Sequence, residues 1–129
     1  MKILINPGNI QNAKSYPYWE EFLELVKDQE VKQIKGILPE QEIIDLVNWC
    51  DKWISIDSFL PHLCKYHNLK SGIVIWGKSD PLIFGYPENV NLIKDRNRLR
   101  PDQFVFWTNV KWDKDDFIIA TDLIKSLNL

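Results

Sequence analysis

Residues 53 to 62 read Trp53-Ile54-Ser55-Ile56-Asp57-Ser58-Phe59-Leu60-Pro61-His62. Four residues rich in β-branched and aromatic side chains stop abruptly at Asp57. Ser58 then offers a helix cap, and Pro61 falls in the first turn, where its missing N–H costs nothing. A strand that hands over directly to a helix is half of a β-α-β unit. Upstream, Ile3 to Ile5 reads as a strand ended by the loop Asn6-Pro7-Gly8-Asn9. A helix is expected from Ser15, with Trp19, Phe22, Leu23 and Val26 on one face, followed by a short strand at Val31 to Ile34. Pro39 opens another helix, whose stripe is Ile43, Ile44 and Val47. Downstream of the opening stretch, a helix running to about His67 precedes Gly72-Ile73-Val74-Ile75-Trp76, apolar throughout like a strand covered on both faces. A loop from Gly77 to about Glu88, a weak strand at Val90 to Ile93 and a charged turn from Lys94 to Arg100 follow. Phe104 to Trp107 is ambiguous, and a last helix over about 113–127 presents Phe117, Ala120, Ile124 and Leu127. This alternation predicts a single three-layer α/β/α domain over residues 1–129 with a mostly parallel sheet.

Composition narrows the function. The chain has 129 residues, enough for one core and too few for two. Lys+Arg is 16 against Asp+Glu 18, which argues against a generally basic nucleic-acid binder. No apolar run reaches the ~18 residues of a membrane span, and the opening apolar stretch is too short for a secretory signal. Two cysteines suit a reducing compartment, so a cytoplasmic protein is expected. Cys50, His62, Cys64 and His67 lack metal-ligand spacing, because two histidines five apart on a helix diverge by about 140°. No metal and no cofactor are expected. Gly-x-Gly-x-x-Gly, Walker and Gly-x-Ser-x-Gly motifs are absent from the sequence.

In an open parallel sheet, ligands sit beyond the carboxyl ends of the strands. Those ends carry Asn6-Pro7-Gly8-Asn9, Gly36, Asp57-Ser58 and Gly77-Lys78-Ser79-Asp80-Pro81. Free amides and the positive end of a helix attract phosphate. Ser58 and His62 lie one turn apart, so a hydroxyl, amides and an imidazole can converge on one oxyanion. The plainer reading is that Ser58 caps the helix and His62 packs beside it. Lys14 stands where it can reach the same crevice, although a lone lysine is usually a solvated charge. Asp57, Ser58 and His62 are neighbours, but a capping serine adjacent to the aspartate is poor triad geometry. The aromatics Trp76, Phe84, Tyr86, Trp107 and Trp112 serve packing, with a sugar or base platform as the alternative.

Three segments in order resemble the C-terminal half of glycosyltransferase family nine, which includes the ADP-heptose:lipopolysaccharide heptosyltransferases. They are Trp53 to Leu63, Ile73 to Pro81, and Phe84-Gly85-Tyr86-Pro87; Asn6-Pro7-Gly8 with Lys14 and Tyr16-Pro17 looks like the family's opening segment. The resemblance implies a Rossmann-like domain, like the C-terminal domain of a GT-B glycosyltransferase, and a nucleotide-diphosphate sugar as ligand. By position it assigns the donor diphosphate to Gly8, Lys14, Asp57, Ser58, the amide of Phe59 and nearby His62, with Gly77, Ser79 and Asp80 as further loop contacts. No catalytic residue is assigned. Phe59 stands where the family has glycine, and the stretch from Leu25 to Asp57 is about one strand–helix unit short. The family's N-terminal domain, which binds the acceptor and supplies the catalytic base, has no counterpart here. A partner chain or a homo-oligomer would then complete a transferase. The alternative is a non-catalytic protein-interaction module that kept the fold and lost the ligand, and a hydrolase using Asp57 and His62 is a third reading.

Overall fold

The structure is a computed structural model that describes residues 1–8, 15–104 and 113–129. Five strands, β1 (Lys2–Asn6), β2 (Glu30–Gln33), β3 (Lys52–Ile56), β4 (Ile73–Ile75) and β5 (Val90–Leu92), form one sheet in the order β2-β1-β3-β4-β5. Every neighbouring pair is parallel. The connections are made by α1 (Trp19–Leu25), α2 (Glu40–Trp49), α3 (Phe59–Tyr66) and α4 (Pro81–Phe84), and α5 (Ala120–Ser126) closes the chain.

Alternation along the strands sorts the two faces. Ile3, Ile5, Ile54, Ile56, Ile73 and Ile75 point one way and pack under Trp19, Phe22 and Val26 of the first helical segment and Leu123 and Leu127 of the last. Leu4, Trp53, Val74 and Trp76 point the other way, onto Ile43 and Val47 of α2 and Leu60 and Cys64 of α3. The three-layer parallel architecture is therefore as expected.

The order of strands fixes where the sheet opens. After β2 the chain crosses back over β1 to lay down β3, so the connections leaving β1 and β3 run to opposite faces. Order 2-1-3-4-5 has its switch point between those two strands. The alternative doubly wound order, 3-2-1-4-5-6, carries two strands on the far side of strand 1 where this chain has one. The short stretch between Leu25 and Asp57 leaves room for no more.

Several boundaries differ from expectation. The first helix begins at Trp19 with Tyr18 at its cap position, and Ser15 and Pro17 precede it, because Ser15 is drawn into the buried layer. The last helical segment breaks in two. A 3-10 turn at Lys114–Asp116 is closed by a capping box between Asp113 and Asp116, and extended backbone at Phe117 and Ile119 separates it from α5. Those extended residues let both Phe117 and Ile118 reach the core. The loop after Gly77 contains α4, capped by Asp80 through the Leu82 amide. The ambiguous segment Phe104 to Trp107 lies, after Phe104, outside the described residues.

Candidate functional site: the mouth between β1 and β3

The two strands that flank the switch point end in Asn6 and Ile56. Asn6 is paired in register with Ser55, and both are buried. By alternation both side chains leave the sheet on the face covered by α2 and α3. The Asn6 amide donates to Ser55 Oγ at 2.9 Å and to Ser58 Oγ at 2.8 Å. Ser55 Oγ in turn donates to the Ile56 carbonyl at 2.7 Å. A hydrogen-bond chain therefore ties the end of β1 to the first residue of the α3 turn.

This changes the role of Ser58. It occupies the N-cap position of α3 in extended conformation, but its side chain makes no capping bond. The expectation that it caps is corrected: its hydroxyl has turned to Asn6 instead. The first amides of a helix have no acceptor within it, and Pro61 contributes no N–H. The half-buried Ser58 and the amides of Phe59 and Leu60 thus stand together at the positive end of the helix.

Gly8 completes the rim. Its φ is +68°, and a Cβ there would sit 2.2 Å from Ile56 Cδ1. The turn after β1 can lie across the end of β3 only with glycine at this position. Asp57 is buried beside Ser58. Phe59, where the sequence resemblance would place glycine, carries a ring that is 44% exposed. Lys14, like Asn9, lies outside the described residues.

His62 is held elsewhere. Its Nδ1 lies 2.6 Å from the Tyr86 hydroxyl, and the two rings meet edge to face. Lys65, one turn on, reaches Glu88 at 2.5 Å, and this contact holds the Glu88 carboxyl below its ordinary range. Both contacts pin α3 to the segment before β5. Ser58 is bonded to Asn6 and His62 to Tyr86, so Asp57, Ser58 and His62 are not wired as a catalytic triad. His67 pairs with Glu40. Among the described residues no three His, Cys, Asp or Glu side chains cluster as a metal site would need.

The residues after β4 are drawn into a structural network. Gly77 lies against the Phe117 ring, where a Cβ would meet Cζ at 2.6 Å. Buried Asp116 accepts from Arg98 Nε at 2.9 Å, which raises the Arg98 guanidinium further above its usual range, and it also pairs with Lys78 at 3.2 Å. Arg96 hydrogen bonds hold the Asp80 carboxyl below the normal aspartate range. The Gln103 side chain accepts from the Asp80 amide and donates to the Lys78 carbonyl. Ser79 is buried, and its hydroxyl has no partner among the described residues.

The aromatic side chains pack. Trp76 is buried with Nε1 on Asn91, Phe84 packs against Phe104, and Tyr86 serves His62; Trp107 and Trp112 lie outside the described residues. Asn6 is the residue that sequence reasoning missed. Its place before Pro7-Gly8 marked it only as a loop former, and its partners are 49 and 52 positions away.

No protein-family model and no curated protein matches the chain. Among solved structures it is similar to a dodecameric iron-containing heptosyltransferase, TibC, crystallised in complex with ADP-D-β-D-heptose. The TM-score is 0.59 and the identity 18%, over 74% of this chain and 32% of that one. The chain thus has a glycosyltransferase-like fold and spans about a third of that neighbour's length. Among the described residues no helix is long and apolar enough to cross a membrane.

Proposed function

We propose that this chain binds the diphosphate of a nucleotide-sugar at the mouth between β1 and β3, as the donor-binding part of a glycosyltransferase. The observation that carries the reading is the convergence, at the switch point, of the Gly8 turn, the Ser58 hydroxyl and the uncapped start of α3. A pyrophosphoryl group needs donors and positive potential, and this end of α3 supplies both. Asp57 and Phe59 border the same mouth and Lys14 of the first loop would add the positive charge, while His62, one turn along α3, is held by Tyr86. Gly77, Ser79 and Asp80 would shape its far wall. The fold likeness to a heptosyltransferase crystallised with ADP-heptose supports the same ligand class. Catalysis would also need an acceptor-binding domain, with a partner chain or a second copy as one source of it, in the reducing cytoplasm.

The test is thermal unfolding with ADP, GDP, UDP and their sugars. A ligand at a hundred times its dissociation constant adds about 2.7 kcal/mol. A rise in Tm with one base, lost in Ser58→Ala, is the expected result. No shift with any of them removes the reading.

A second reading rests on a different observation. Leu82 is 80% exposed and Phe104 79%, and Ile83 beside them is half exposed. Phe104 packs on Phe84 of the same short helix, so exposed apolar side chains gather around α4. A non-catalytic interaction module would use the surface around α4. A stable oligomer dispersed by Leu82→Asp, with no response to nucleotide, would favour it.

A further inference from the structure

We infer that Asn6 is a positioning residue that sets the Ser58 hydroxyl as a hydrogen-bond donor toward an anionic ligand. The inference rests on the crevice reading above and adds a residue to it. The argument is one of proton bookkeeping. Both amide protons of Asn6 are spent, one on Ser55 Oγ and one on Ser58 Oγ. The Ser55 proton is spent on the Ile56 carbonyl. Ser58 therefore receives a proton from Asn6 and keeps its own. Had Ser58 capped α3 in the ordinary way, its oxygen would have taken an amide of the first turn. Asn6 replaces that bond, leaves the amide free and holds the oxygen from the side of the sheet.

The ligand follows from what Ser58 has left to give. A hydroxyl that accepts from Asn6 still has its own proton to donate, which suits a phosphate oxygen. The holder is itself rigid: Asn6 is 2% exposed at the end of a central strand, and its second bond to Ser55 fixes the amide plane. An aspartate at position 6 would reverse the arrangement. It can only accept, so Ser58 would spend its proton on the carboxylate and a negative charge would face the ligand.

The test is a double-mutant cycle read by calorimetric titration of ADP, GDP and UDP, with urea unfolding recorded in parallel. Ser58→Ala is expected to weaken binding about tenfold, and Asn6→Ala about fivefold. The double variant should bind no worse than Ser58→Ala, because Asn6 acts only through that hydroxyl. Asn6→Asp should bind more weakly than Asn6→Ala, an order that a purely structural role would not give. If Asn6→Ala fails to fold, Asn6→Ser, too short to reach Ser58, replaces it in the cycle. Wild-type binding with the two losses multiplying, or with Asn6→Ala unaffected, overturns the role of Asn6 and leaves the crevice standing. Failure of wild type to bind any of the three overturns both.

Discussion

The turns after β3 and β4 are built from similar letters and end differently. Each follows an apolar central strand, and each holds a serine and an aspartate within a few residues. After β3, the serine is half-buried, bonded from behind by Asn6, at the open start of an eight-residue helix. After β4, the serine is buried, the aspartate is occupied by Arg96 and a helix amide, and Lys78 pairs with Asp116. One turn leaves the Ser58 proton without an acceptor among the described residues; the other has turned its charges on its own chain. Topology explains the contrast. The mouth between β1 and β3 is where crossovers diverge to opposite faces, whereas the turn after β4 is covered by the 94–104 segment and the Asp113–Phe117 turn.

The comparison breaks most visibly at Asp116. Removing this buried carboxylate in Asp116→Ala leaves Lys78 and Arg98 without their shared partner and should cost about 2–3 kcal/mol in urea unfolding. Nucleotide affinity of the folded fraction should be unchanged. A loss of affinity with intact stability would mean that the β4 turn, not the β3 turn, is the binding end.

At the other turn, Gly8→Ala forces a Cβ against Ile56 Cδ1 in a left-handed conformation and should cost about 2 kcal/mol. Ile56→Val removes that methyl and should restore part of the loss while leaving the backbone strain. Full restoration in the double variant would show that the φ at Gly8 carries no cost.

The underside of α3 offers a smaller effect. Burial pushes the Cys64 thiol up to about 12, with neighbouring Cys50 adding to it. Its folded value thus exceeds the unfolded value of 9.0, so the folded state holds the proton more tightly. Stability from this group is complete below pH 9 and falls between pH 9 and about 12, by about 1 kcal/mol per pH unit. Urea midpoints between pH 8 and 10 measure it. A flat profile would mean that α3 sits more loosely over the sheet than the β3 turn requires.

The smallest effect is at Asp80. Its carboxyl is lowered by Arg96, so its contribution is present above the unfolded aspartate range and lost as pH falls through the lower folded value. Arg96 is half exposed, so the contribution is below about 0.5 kcal/mol. Arg96→Ala should bring the acid-unfolding profile closer to that of Asp80→Asn, with no change in nucleotide affinity.

Much of this was legible in residue order. Five short β-branched runs ended by turn residues, and the period-3.6 stripes beginning Trp19 and Ile43, were enough to place the elements. The polar ends of β1 and β3 stood out for the same reason. What escaped was long-range. The capping letter of Ser58 was visible, but its real partner is the far side chain of Asn6, brought near by register pairing of β1 and β3. His62 had the right spacing from Ser58, yet Tyr86 holds it, 24 residues on. The helix break at Phe117 was hidden because Phe117 fits a helical stripe as well as it fits the extended link that buries it.

The most direct measurement is amide chemical-shift mapping of the full chain titrated with ADP, GDP and UDP. The account predicts that one of them moves Gly8, Asp57, Ser58, Phe59 and Leu60 together and leaves Gly77 to Asp80 nearly still. Shifts centred on the β4 turn, or none from any diphosphate, would contradict it.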